Sequence, residues 1–197
     1  MVLPYMDGGS LRAHLRTSAV PISQWRVAWV VANALLDLRT TQILHRDVKS
    51  DNIFLSVDGR VLLGDLGVAR EVLDASTTLT NGVGTPYWIA PEVFTGGHYD
   101  AAADVYSFGI VLTELSTRKT PYWDAPRKGF ALIDGVRAGD LRPTLALDCA
   151  DWFRDLAHRC LRHDPTLRPS AGDIVSALVQ HRNASITTPM VAASDAW

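Results

Sequence analysis

Cysteine is scarce: Cys149 and Cys160 are the only two in 197 residues. They lie eleven positions apart in helical-looking sequence with no secretory leader ahead of them, so two buried, reduced thiols are expected rather than a disulfide. No zinc-like grouping of Cys and His occurs. Positive charge is not in excess either. A formal net charge of −2 offers no field for nucleic acid or an anionic membrane surface. Long apolar runs are missing: the longest, "VAWVVANALLDL", is broken by Asn33 and Asp37 and is too short to cross a bilayer. The opening "MVLPYMDGG" has no basic segment followed by an apolar one, so it is not a signal peptide. No internal repeat is present. These absences leave a soluble, cytoplasmic chain. Its 47% hydrophobic and 20% charged residues suit a globular body able to bury a sizeable core, one to one and a half domains by length.

What is there is mostly helical pattern. Ser23 followed by Trp25, Ala28, Trp29, Ala32, Leu35 and Leu36 reads as a capped amphipathic helix ending near Thr41. "NIFLSVDGRVLLGD" reads as two short strands around an Asp58-Gly59 turn. From Asp100 onward the periodicity is helical. "DVYSFGIVLTEL" is apolar nearly all round and should be fully buried, while "DWFRDLAHRCL" and "SAGDIVSALVQH" are amphipathic, the second opened by Pro169 and Ser170. The segment after His181, "RNASITTPMVAASDAW", is small and polar and should fray. Its Asn183-Ala184-Ser185 has the form of a glycosylation acceptor, which without a secretory route is a chance match. The fold class is mainly α: a helical bundle with a small β-hairpin.

Two polar clusters flank that hairpin, His45 to Asn52 before it and Asp65 after it. A hairpin brings its ends together, so Asp47, Asn52 and Asp65 should converge at one edge. Asn52 and Asp65 both offer oxygen, which suits a hard cation such as Mg²⁺ that takes its other ligands from water and phosphate. Asp47 is placed to accept a proton from a hydroxyl, and Lys49 to supply positive charge where negative charge builds up. Such a set suits phosphoryl transfer, which depends on positioning and charge neutralisation.

At these residues the chain resembles the eukaryotic protein kinases. His45-Arg46-Asp47 matches the HRD triplet, with Asn52 five residues after the Asp. Asp65-Leu66-Gly67 matches DFG with Leu for Phe, and Ala90-Pro91-Glu92 matches APE. A lone triplet is a chance event, whereas three motifs in family order and spacing are not. The resemblance covers residues 1–181 as a partial kinase domain, the hinge and C-terminal lobe, with 182–197 as a flexible tail. "LPYMDGGSLRAHL" is similar to the hinge and first large-lobe helix, with Leu3 near the gatekeeper position and Tyr5 and Met6 as ATP contacts. The resemblance makes Phe54 the floor beneath the adenine and gives Asp65 a contact with ATP. It makes His45 a structural residue, Asp104 of "ADVYSFG" the group that holds the catalytic-loop backbone, and Arg168 the partner of Glu92. Lys49 after Asp47, with "GTPYW" ahead of APE, is the Ser/Thr form. Thr85 would then bridge toward Asp47 and Lys49 to shape the docking site, and "DVYSFGIVLTEL" and "MDGGSLRAHL" resemble the tyrosine-kinase-like group. The cofactors implied are ATP and Mg²⁺, and the partners are proteins carrying Ser or Thr. Arg46 would clamp a phosphate on the following segment, where Ser76, Thr77, Thr78 and Thr80 are acceptors for an upstream activating kinase.

The family also has a Gly-rich loop and a strand Lys paired to a helix Glu. This sequence has no G-x-G-x-x-G, no Lys before Lys49 and no Glu before Glu71. The N-terminal β lobe is therefore expected to be absent and the chain alone weak or inactive. A non-catalytic lobe used as a scaffold is the alternative. Intact Asp47, Lys49, Asn52 and Asp65 favour the kinase, because a scaffold has no physical need of all four.

Overall fold

The computed structural model describes residues 5–18, 20–67, 69–71, 86–96 and 99–187. Helix α1 (Leu11–Thr17) starts where Ser10 Oγ accepts the Ala13 N–H at 3.3 Å, and it buries Leu11 and Leu15. The chain ahead of it is pinned to the hairpin by Gly8 N–H to Leu55 O, 2.9 Å, and Leu55 N–H to Gly9 O, 2.8 Å. A Cβ on Gly8 would lie 2.9 Å from the Leu55 carbonyl oxygen, so this approach requires glycine.

Helix α2 (Gln24–Thr40) has the expected Ser23 cap, on Arg26 N–H at 3.2 Å. Its buried face is turned from the expected one. Val27, Ala28, Val31, Ala32 and Leu35 are buried, while Trp25, Trp29 and Leu36 are only partly so. The two indoles stack with centroids 5.3 Å apart at the edge of the core, and Trp25 Nε1 donates to Leu178 O. A ring this large with a polar edge settles where one side remains wet.

Two antiparallel ladders follow. Strands β2 (Ile53–Leu55) and β3 (Val61–Leu63) form the anticipated hairpin, with Ile53 opposite Leu63 and Gly59 at φ +85° in its turn. Strand β1 (Ile43–Leu44) pairs with β4 (Arg70–Glu71), a contact not expected from the pattern.

The body is helical, as expected. Helix α3 (Pro91–Phe94) is one turn. Helix α4 (Ala101–Thr117) is capped by Asp100, and every residue from Ala103 to Leu115 is buried. Helix α5 (Gly129–Ala138) was not anticipated. Helix α6 (Asp151–Cys160) and helix α7 (Ala171–Thr187) complete the bundle, with α4 packed on α2 and α6, and α7 laid along α2. Ser170 and Asp173 cap α7 reciprocally: Asp173 N–H to Ser170 Oγ, 3.2 Å, and Ser170 N–H to Asp173 Oδ2, 2.9 Å. This helix runs on to Thr187, past the expected end at His181, and takes the Asn183-Ala184-Ser185 tripeptide with it. Both thiols are free and buried. Cys160 ends α6, but Cys149 sits in the turn before that helix rather than within one. No helix among the described residues is long and apolar enough to cross a membrane.

Candidate active site

The site is assembled on the N-terminal end of α4. Asp104 is buried there, and its carboxylate accepts three hydrogen bonds: His45 N–H at 2.8 Å, Arg46 N–H at 2.9 Å and Tyr99 O–H at 2.7 Å. Burial pushes its carboxyl up while these donors hold it down. The grip matters because Arg46 has φ +67°, a conformation that L-residues enter at a cost. Two backbone N–H groups aimed at one carboxylate offset that cost. The Arg46 guanidinium lies over the Tyr99 ring, 5.3 Å from its centre.

His45 is fully buried. Its Nδ1 accepts the Asp47 N–H at 3.4 Å, so the ring hydrogen sits on Nε2, which donates to Gly64 O at 3.1 Å. The imidazole thereby ties the loop before the hairpin to the residue just ahead of Asp65. Gly64 N–H in turn donates to Asn52 O at 2.9 Å. These bonds join the segment that carries Asp47 and Asn52 to the one that leads into Asp65 at the hairpin's open end.

Asp47 Oδ2 receives Lys49 Nζ at 2.6 Å and Asn52 Nδ2 at 2.9 Å; the same Nδ2 reaches Asp47 O at 2.8 Å. Asp47 Oδ1 makes no hydrogen bond among the described residues. With its nitrogen committed to Asp47, Asn52 has its amide oxygen left for a cation. Asp65 is exposed, at φ +63°, with Oδ1 accepting Gly67 N–H at 3.3 Å. Among the described residues no group of three or more His, Cys, Asp and Glu side chains could hold a metal; a cation here would have one Asn and one Asp, with the rest of its shell from elsewhere.

Phe54 is half-buried in β2, pressed on Gly64: a Cβ there would come within 3.1 Å of the ring. Tyr5 is 86% exposed and Met6 half-buried, and among the described residues neither side chain is hydrogen-bonded to the Asp47 cluster. Leu3, Thr85, Ser76, Thr77, Thr78 and Thr80 lie outside the described residues.

Arg168 and Glu92 meet in a two-pronged ion pair, Nη1 to Oε1 at 2.6 Å and Nη2 to Oε2 at 2.7 Å. The remaining guanidinium hydrogens go to the carbonyls of Arg162, Ala102 and His163, so all five donors are used. The ring of Tyr106 lies 4.9 Å below.

One buried group was not singled out from the sequence. Glu114, near the end of α4 and 3% exposed, accepts Ser50 Oγ–H on Oε1 and Trp88 Nε1–H on Oε2, each at 2.8 Å. Burial lifts its carboxyl to about 7 against the two hydrogen bonds. The signal was a second acidic residue, after Asp104, in a helix that is otherwise uncharged and buried. A cavity of about 450 Å³ lies elsewhere, between the end of α2, β1, the start of α4 and the Pro165–Ala171 stretch, and its lining does not include Asp47, Asn52 or Asp65.

Comparison with known proteins bears on this geometry. The family model for the protein kinase domain matches residues 1–181. The chain is 35% identical over 194 residues to the serine/threonine-protein kinase ste20 of Aspergillus fumigatus, covering 96% of this chain and 23% of that protein. It is 35% identical over 194 residues to the serine/threonine-protein kinase pakA of Talaromyces marneffei, covering 96% and 29%. With a probable LIM domain-containing serine/threonine-protein kinase of Dictyostelium discoideum it shares 36% over 176 residues, covering 88% and 18%. The chain thus spans less than a third of the length of these relatives.

Proposed function

The chain belongs to the protein kinase family, and from that premise we propose that it serves transfer of the γ-phosphoryl group of ATP to Ser and Thr hydroxyls of proteins. One observation carries the reading: Asp47 has one carboxylate oxygen held by Lys49 and Asn52 and the other without a hydrogen bond among the described residues. A base must be held still and yet have an oxygen to offer.

Mg²⁺–ATP, when bound, supplies the transferable group and neutralises charge spread over it. The Asn52 amide oxygen and the exposed Asp65 carboxylate fit the hard cation, being oxygen donors from segments joined by the Gly64–Asn52 bond. Asp47 Oδ1 takes the proton of the substrate hydroxyl, and Lys49 sets positive charge beside that oxygen pair. Phe54 supports the adenine from below, with Tyr5 and Met6 at its edge. Thr85 shapes the docking site for the acceptor. Two free, buried thiols support a cytoplasmic setting. Arg46 receives a phosphate placed by an upstream kinase on Ser76, Thr77, Thr78 or Thr80; phosphosite mapping of active protein that finds none of the four modified rejects this assignment.

The main test pairs two variants in a full-length kinase that contains this lobe. Asp47→Asn lowers transfer by about 10²–10⁴ with nucleotide affinity retained, and Asp65→Ala abolishes Mg²⁺-dependent nucleotide binding. Near-normal turnover in the first, or unchanged Mg²⁺–ATP titration in the second, removes the corresponding role.

A further inference from the structure

The cavity of about 450 Å³ between α2, β1, α4 and the Pro165–Ala171 stretch takes no part in the proposed chemistry. Its volume falls in the range of small-molecule sites, about 300–1,000 Å³. Its lining divides by polarity. Leu35, Leu44, Val105 and Ala171 are each no more than 5% exposed and form its depth. Arg39, Gln42 and Asp100 are exposed and stand at its mouth. An apolar depth under a polar rim suits an amphipathic ligand, whose body gains burial while its head keeps a polar partner.

The rim decides which head. Most polar groups that line the cavity are already committed. Asp104 accepts three hydrogen bonds, and Arg168 uses all five of its donors. Ser170 Oγ is bonded to Asp173 Oδ2 at 2.6 Å, and Asp100 Oδ1 caps α4 by accepting Ala102 N–H at 2.8 Å. The side chains of Arg39 and Gln42 make no hydrogen bond or ion pair among the described residues. The acid that feels the Arg39 charge, Asp173, is already engaged by Ser170. Gln42 is held at φ +57°, at a cost to an L-residue, by a turn in which its N–H donates to Arg39 O at 3.0 Å. That turn keeps an amide and a guanidinium on one rim of the cavity. A guanidinium takes a carboxylate through paired N–H groups, and an amide adds another N–H. We propose that this cavity binds a small monocarboxylic acid with an apolar body, its carboxylate on Arg39 and Gln42 and its body against Leu35, Leu44, Val105 and Ala171. The site does not include Asp47, Asn52 or Asp65 and does not depend on the kinase reading. It does border the loop ahead of the hairpin, since Leu44 precedes His45 and Asp104 holds the His45 N–H.

Probes that share one body and differ in the head test this directly: phenylbutyrate, phenylbutylamine and phenylbutanol. Each is titrated by calorimetry into a full-length kinase containing this lobe. The expected result is saturable binding of phenylbutyrate, with the amine and the alcohol weaker by about tenfold or more. Arg39→Gln should weaken the acid by about tenfold or more and leave the alcohol unmoved, since a charge-assisted pair is lost and the apolar contacts are kept. Gln42→Ala gives a smaller loss of the same kind. Ala101 lines the cavity from the start of α4, so Ala101→Phe sets a ring inside it and should remove binding of all three probes. Binding in another cleft would survive that change. Arg39 is exposed, so its replacement leaves the fold intact and the test stands even where Ala101→Phe does not fold. Four results overturn the proposal: no saturable binding of the acid, an amine that binds as well or better through Asp100, an Arg39→Gln protein with wild-type affinity for the acid, or a folded Ala101→Phe protein that still binds it.

Discussion

Single side chains here are legible in proportion to how local their signal is. Asp47, Asn52 and Asp65 stand in short motifs around a turn whose Asp58-Gly59 chemistry can be read directly, and the structure brings their segments together through His45, Gly64 and Asn52. Glu114 was not legible. A lone Glu near the end of an apolar helix reads as a solvent-side residue, because the partners that make it tolerable lie 64 and 26 positions away. Its environment has a measurable consequence. The folded carboxyl titrates at about 7 against an ordinary 4.5, burial being the main cause, opposed by Ser50, Trp88 and Arg12 and reinforced by Asp51. A raised acid binds its proton more tightly in the folded state. The stability it contributes is full below 4.5 and is lost as pH climbs through about 7. Glu114→Gln should therefore gain on wild type as pH rises from 5 to 8, by on the order of 3 kcal/mol across that range. Thermal melts at the two ends of the range test this, and a difference between the proteins that does not change with pH contradicts it. Asp104, also raised by burial, leaves a slope of the same sign in both proteins and serves as an internal control.

At the scale of elements, capped and strongly patterned pieces were readable: α2 from Ser23, α7 from Ser170, the hairpin from Asp58-Gly59. Two were not. The β1–β4 ladder is two residues long, and no period can show in so short a run. Helix α5 has no side-chain cap, begins at Gly129 with φ +56°, contains Gly135 and leaves Phe130 87% exposed. It is held by tertiary contact instead, through buried Leu132 and Val136. The tie between elements with the clearest energetic stake is Arg168, which joins α3 to the segment ahead of α7. Its side chain is fully buried and that of Glu92 is 17% exposed. Arg168→Ala strands a carboxylate and three carbonyls, and should cost about 3–5 kcal/mol. Arg168→Lys should recover only part of that, since an ammonium cannot reproduce the five-donor fork. Chemical denaturation reads both; wild-type stability in the Ala protein refutes the assignment.

For the whole molecule, the core runs through α2, α4, α6 and α7 and encloses both cysteines. The Cys160 thiol is pushed up to about 12 by burial, with Arg159 and Arg168 only partly opposing. Because the thiolate is the reactive form, the folded chain should resist alkylation, and both thiols should become reactive together as it unfolds. A thiol-reagent titration along a denaturant series checks this. Rapid labelling of Cys160 without denaturant would show that the core opens locally. The expectation of two reduced thiols needed only their number and their spacing in the sequence. Their packing could not be read in the same way, since Cys149 owes its burial to a turn.

Helix α4 grips the loop ahead of the hairpin at two points, Asp104 on His45 and Arg46 and Glu114 on Ser50, ten residues apart on one rod. That spacing has a consequence for which changes in length the gene can tolerate. Each residue of an α-helix advances about 1.5 Å and turns about 100°. One codon gained or lost between those two positions would swing one carboxylate out of line with the loop while leaving the other in place. Gly109, midway along, adds a second restriction: a Cβ there would meet Cys160 and Leu161 at 2.9 Å. The stretch from Asp104 to Glu114 is therefore a fixed-length segment of the reading frame, and insertions and deletions in this lobe should accumulate in the connections on either side of it.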